Sequence, residues 1–130
     1  MTESAMRTIL LHLVLVAALA CVAQPALART AKQSVHGAIA LQRDTGRFGY
    51  AYAAATSRAA KLEALKQCAD PRCEVVVSFS NACGALARKP ARGPKAYFAA
   101  KGATRQEAET KALRLCADRD CAITAWACTR

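Results

Sequence analysis

The sequence predicts an α+β fold: two similar strand/hairpin–helix–strand repeats sharing one sheet, with two helices on one face and three disulfides. Three observations carry this expectation. The stretch CADPRCEVVVSFSNACG, from Cys68 to Gly84, returns 48 positions later as CADRDCAITAWAC, from Cys116 to Cys128. Each copy follows an alanine-rich segment of helical periodicity, and each is preceded by an alternating, strand-like segment. Six cysteines remain once Cys21 is set aside, an even number in a small chain, which reads as a disulfide framework.

The N-terminus has the character of a targeting segment. Met6-Arg7 precedes an apolar run from Ile9 to Ala20, interrupted by His12, and then Pro25 and the small-x-small triplet Ala26-Leu27-Ala28. This describes a secretory signal peptide spanning residues 1–28, since the run is short for a membrane span. Acylation of Cys21 is the lesser alternative, because Ala18 stands where a lipoprotein site wants a branched residue. Export to the periplasm or beyond follows. Residues 29–36 read as a loose tail, and 37–130 as one disulfide-stapled domain, with repeat one at 37–87 and repeat two at 95–128.

Within the domain, GAIAL and RFGYAYA flank Asp44-Thr45-Gly46, a β-hairpin signal with Gly46 at the position of positive φ. Phe48, Tyr50 and Tyr52 then share one face. Thr56 and Ser57 offer an N-cap to a helix with Leu62, Leu65, Cys68 and Ala69 along its buried stripe, and Asp70-Pro71 ends it. In the next strand Val75, Val77 and Phe79 share the parity of Cys73 and should face the helix. Asn81 to Lys95 reads as an exposed connection, with Arg88, Lys89, Arg92 and Lys95 among two prolines. A strand AYFAAKGA follows, then Thr104-Arg105-Gln106-Glu107, a capping box opening a helix to about Ala117. Six cysteines allow fifteen pairings. The repeat favours Cys68–Cys73, Cys116–Cys121 and Cys83–Cys128, the last holding the two halves together. Overlaying the copies sets Tyr50 on Phe98.

The order GAIA, a Gly-Tyr-Ala-Tyr strand, an alanine-rich helix ending in cysteine, and CEVVVSFSNACGALA resembles a family of small exported bacterial proteins. That family is catalogued as a domain of unknown function, number 4189. The resemblance runs from Gly37 to Cys128 and implies export and a two-repeat α+β domain, with no established active site. The basic Arg88–Lys95 stretch departs from the usual family pattern.

Composition narrows the function. The segment from Arg29 onward carries a net charge of +10 on 102 residues, 25 of them alanine. Such a charge favours anionic partners. An alanine-rich core gains little from burial, so the disulfides should be needed for stability. No metal and no cofactor is expected: C-x4-C pairs are wider than zinc knuckles and differ from the C-x-x-C of redox catalysts. After residue 28 the chain has one histidine, His36, without catalytic partners. Ser78, Ser80 and Asn81 lie outside any G-x-S-x-G context.

The expectation is therefore a non-catalytic exported binding protein, recognising an envelope component or another exported protein, as an inhibitor or immunity-type protein in one version. The enzyme alternative is a small cationic secreted hydrolase such as a nuclease. Candidate binding residues are Arg88, Lys89, Arg92, Lys95, Trp126 and Tyr50, against an anionic polymer or an exported protein; nucleic acid would be held non-specifically. Tyr50, Tyr52 and Tyr97 read more readily as core. By parity Trp126 should face away from the helices, there to cover the Cys83–Cys128 bridge or meet a partner.

Overall fold

The computed structural model describes residues 32–90 and 96–129. The expected signal peptide and residues 29–31 of the expected tail lie outside them, as do Arg92 and Lys95. Eight elements follow in order: β1 (His36–Leu41), β2 (Phe48–Ala54), α1 (Ser57–Cys68), β3 (Glu74–Ser80), β4 (Cys83–Arg88), β5 (Tyr97–Gly102), α2 (Arg105–Cys116) and β6 (Ala122–Cys128). The class is α+β, but the strands do not share one sheet. They form two antiparallel three-stranded sheets, ordered β2-β1-β3 and β5-β4-β6.

The central strands explain the division. In β1 residues Ala38 to Leu41 are fully buried, and in β4 so are Ala85 to Ala87. A strand buried on both faces needs a layer on each side. On one face Ala38 and Ala40 pack under Ala60, Ala64 and Cys68 of α1, and Ala85 and Ala87 pack under Ala108, Ala112 and Cys116 of α2. On the other face Ile39, Leu41 and Phe79 of the first sheet meet Leu86, Tyr97, Ala125 and Ala127 of the second. The helices therefore lie on opposite outer faces of two stacked sheets, not together on one. On the central strands alanines face the helices, while Ile39, Leu41 and Leu86 fill the space between the sheets.

Close approach sets this choice. A Cβ on Gly49 would lie 2.3 Å from the Ala64 carbonyl oxygen, so α1 rests against the backbone of β2. At that distance the centre of the stripe is alanine, Ala60 and Ala64, with Leu65 packed at its side. Leu62 and Ala69, expected inside, are instead exposed, Ala69 as the helix C-cap. Between the sheets the Phe79 ring occupies the space a side chain would need at both Gly37 and Gly84.

Local signals behave as expected. Gly46 has φ of +74° in the turn between β1 and β2, and buried Gln42 clamps that turn, its Oε1 accepting from the N–H of Asp44 and Thr45. Thr56 Oγ1 accepts from Ala59 N–H and Thr104 Oγ1 from Glu107 N–H, capping the two helices. Both helices end on an alanine in the left-handed region, Ala69 and Ala117. The bonds Cys68–Cys73, Cys116–Cys121 and Cys83–Cys128 are all formed.

Three non-local expectations are corrected. Residues 83–88 are a strand, the centre of the second sheet, and not part of a connection. Cys83–Cys128 consequently joins directly opposed residues of β4 and β6 inside the second repeat; it does not tie the repeats together. Finally, a register shift between Ile39 and Ala40 inserts Val76 as an extra residue in β3. Val75 packs toward α1, whereas Val77 and Phe79 turn to the space between sheets. An inserted residue reverses the facing of everything beyond it.

The candidate binding groove

Strand β2 is an edge strand, and β1 is the one strand it pairs with. Gly49 and Ala51 point to α1, so Phe48, Tyr50 and Tyr52 occupy the opposite face, the one that turns toward the second sheet. That sheet ends at β6, short of covering them. The three side chains are 38%, 39% and 52% exposed, and the Tyr50 and Tyr52 rings stack at 6.3 Å. Tyrosines 50 and 52 are thus not core, because the layer that buries the same face of β1 stops one strand too early. Tyr97 does belong to the core, as expected, at 8% exposure.

The wall of this groove is β6. Five consecutive residues, Thr124 to Cys128, line it together with the aromatic floor, enclosing about 570 Å³. Neighbouring side chains on a strand point to opposite faces, so an unbroken run of lining residues means that the backbone edge itself faces the groove. No carboxylate lines it.

Trp126 departs from its expected side. A register shift between Leu86 and Ala87 makes Thr124 the extra residue of β6, and Trp126 sits opposite Ala85, whose side chain packs under α2. The indole therefore lies on the helix side of its sheet. There the Arg105 guanidinium, at the start of α2, stands 3.8 Å from the ring centre. Arg105 is also paired with Glu109 at 2.6 Å. Trp126 keeps 43% of its surface exposed, continuing the aromatic surface around the strand edge.

Arg88 and Lys89, the two basic candidates among the described residues, do not line this groove. Arg88 lies at the end of β4 with its guanidinium 5.9 Å from the Tyr97 ring centre. Lys89 is ion-paired with Asp118, and only 12% of its side chain is exposed. Both cations are therefore engaged within the protein. Of the four candidate residues that are described, Tyr50 and Trp126 come together. The structure adds Phe48 and Tyr52, whose shared parity with Tyr50 was visible in the sequence but whose exposure was not.

Acid–base machinery does not gather at the groove. Glu107, outside the groove, has a displaced carboxyl. A hydrogen bond from Lys111 Nζ holds it below the usual range, with further help from the Ala103 N–H and the charge of Lys111. Glu107 is a helix-capping group on α2. No cluster of three or more metal-ligating side chains occurs among the described residues. No described helix is long and apolar enough to cross a membrane.

The model of the family described as Domain of unknown function (DUF4189) matches residues 36–128. The chain belongs to this family. The match begins with β1 and ends with β6, so the domain comprises both sheets and both helices. The fold is similar to the NMR structure of Rv1813c from Mycobacterium tuberculosis, with a TM-score of 0.55 and 27% identity over 73% of this chain and 76% of that one. The search of curated proteins returned no match.

Proposed function

We propose that this member of the DUF4189 family is an exported, non-catalytic binding protein, and that the groove between β2 and β6 is its binding surface. Export rests on the N-terminal segment and on three disulfides, which persist in oxidising compartments. One observation carries the binding reading: three large aromatic side chains at period two stand exposed beside an uncovered strand edge. Exposed aromatics gathered in one concave place mark interaction sites, because they bury much area with few rotatable bonds. The ligand belongs to the envelope or is another exported protein, and the positive charge of the chain speeds encounter with anionic partners.

The test is capture from the producing cell's own periplasmic and culture-supernatant fractions by oxidised protein, comparing wild type with a Tyr50→Ala/Tyr52→Ala double variant. A ligand retained by wild type and lost by the variant is expected. Equal retention by both would remove the groove from the function.

A further inference from the structure

We infer that the groove takes an extended polypeptide strand, which adds to the free edge of β6 and supplies the strand that the second sheet lacks. This rests on the groove being the binding surface and names the kind of partner it accepts. Ile39 and Leu41 of β1 are covered by Ala127 and Ala125 of β6, while Phe48 and Tyr50, their neighbours on β2 in the same layer, stay 38% and 39% exposed. A strand placed beside β6 would cover these aromatics as β6 covers β1. The interface it forms would be continuous with the existing core between the sheets.

The backbone of β6 is arranged for this. Thr129 N–H donates to the Ala82 carbonyl, which makes that pair the hydrogen-bonded type. Alternation along an antiparallel ladder then makes Ala127 opposite Gly84 hydrogen-bonded, and Trp126 and Cys128 non-bonded toward β4. The N–H and C=O of Trp126 and Cys128 consequently face outward, into the groove. The edge of β2 is partly closed by comparison, since Tyr50 N–H already donates to Gln67 Oε1. An uncovered edge of this kind is a template for strand addition, with backbone bonds giving affinity and alternate side chains giving specificity.

Charge and alternation define the partner. One face of the added strand would meet Phe48, Tyr50 and Tyr52 and calls for apolar side chains at every second position. The other face would lie on the side of Trp126, where the Arg105 guanidinium is already held by the indole and by Glu109, so that polar side chains fit there. The groove has no lining carboxylate and the chain is strongly cationic. The partner segment is thus an extended strand of alternating apolar and acidic or neutral residues in another protein.

A displayed library of random peptides roughly eight residues long can be selected against the oxidised protein. Binding of selected peptides is then read by the fluorescence of Trp126, the chain's only tryptophan. Enriched peptides should alternate as described and weaken about tenfold or more on the Tyr50→Ala/Tyr52→Ala variant. N-methylation of alternate amides discriminates the mode. One set, facing β6, should abolish binding, while the other set should leave it nearly unchanged. Equal tolerance of both sets, or enriched peptides without alternation, overturns strand addition. If no peptide is enriched while the exported fractions yield a glycan that the double variant fails to retain, the groove keeps its function and strand addition is overturned.

Discussion

Gly49 shows how closely single positions constrain this molecule. Its hydrogen stands where any side chain would strike the Ala64 carbonyl and the backbone of Gln67 and Cys68 in α1, and a helix backbone cannot give way as a flexible side chain can. Gly49→Ala should therefore destabilise the fold by about 3 kcal/mol, read as a lower midpoint of thermal unfolding; an unchanged midpoint would mean that helix and sheet are not in contact there. The opposite sign is expected at the helix ends. Ala69 and Ala117 sit at φ of 55° and 54°, where a Cβ is crowded by its own carbonyl. Ala69→Gly and Ala117→Gly should each stabilise by roughly 0.5–1 kcal/mol, relief of the left-handed strain outweighing the added freedom of the unfolded chain. Glu107 sets a pH dependence. Its folded value is depressed, so its contribution is complete above the ordinary glutamate value of about 4.3 and fades as the pH falls through the folded value. Glu107→Gln should flatten the acid side of the stability–pH curve, and an unaltered curve would show that the Lys111 contact is without effect.

Among the elements, the two helix–turn–strand units are near copies because the same local devices build them. In each, a threonine N-cap opens the helix and a left-handed alanine closes it. An aspartate then turns the chain, Asp70 carbonyl accepting from Cys73 N–H and Asp118 carbonyl from Cys121 N–H, and a cysteine pair spans the turn. The β2 strand breaks the copy. Its pairing with β1 slips between His36 and Ala38, while β5 pairs with β4 without interruption. As a result Tyr50, opposite Ile39, corresponds in space to Ala99, opposite Leu86, and not to Phe98. The second repeat therefore has no aromatic row of its own, and the two sides of the molecule differ. The disulfides also differ in reach. In the loop-entropy account, the bond closing a separation of 45 contributes about 4 kcal/mol and each bond closing a separation of 5 about 2 kcal/mol. Cys83→Ser/Cys128→Ser should lower the unfolding midpoint further than Cys68→Ser/Cys73→Ser, measured by circular dichroism; the reverse order would sink this account.

On the scale of the whole molecule, two sheets stacked between two helices leave their edge strands as the places where layers end. The lateral offset that uncovers β2 also uncovers the edge of β6, so the aromatic floor and the backbone wall have one cause. Six of the eight acids after residue 28 are already taken up in ion pairs with basic residues, leaving a cationic excess distributed over the surface. That excess acts at long range and is screened by salt. Association with an acidic peptide should accordingly slow as ionic strength rises from low to physiological, while dissociation, governed by aromatic contact and backbone pairing, changes little. Stopped-flow measurement through Trp126 separates the two rates, and a salt effect confined to dissociation would contradict the groove as drawn.

What the sequence alone determined is what neighbours a few residues apart decide: the Gly46 turn, the two threonine caps, the helix stops, the short disulfides, and even the Cys83–Cys128 pairing, which the repeat marked. The tertiary structure decided where each of these sits. Strand β4 was hidden because a centre strand buried on both faces shows no alternation, although Gly84-Ala85-Leu86-Ala87 echoes Gly37-Ala38-Ile39-Ala40 and could have revealed it. The facing of Phe79 and Trp126 followed from inserted residues in β3 and β6, which parity counted along the chain cannot detect. The exposure of Tyr50 and Tyr52 depended on where the second sheet ends, a matter of hydrogen bonds between segments distant in sequence. Period and capping are properties of one segment; register, layering and edges belong to pairs of segments, and only the folded chain brings those pairs together.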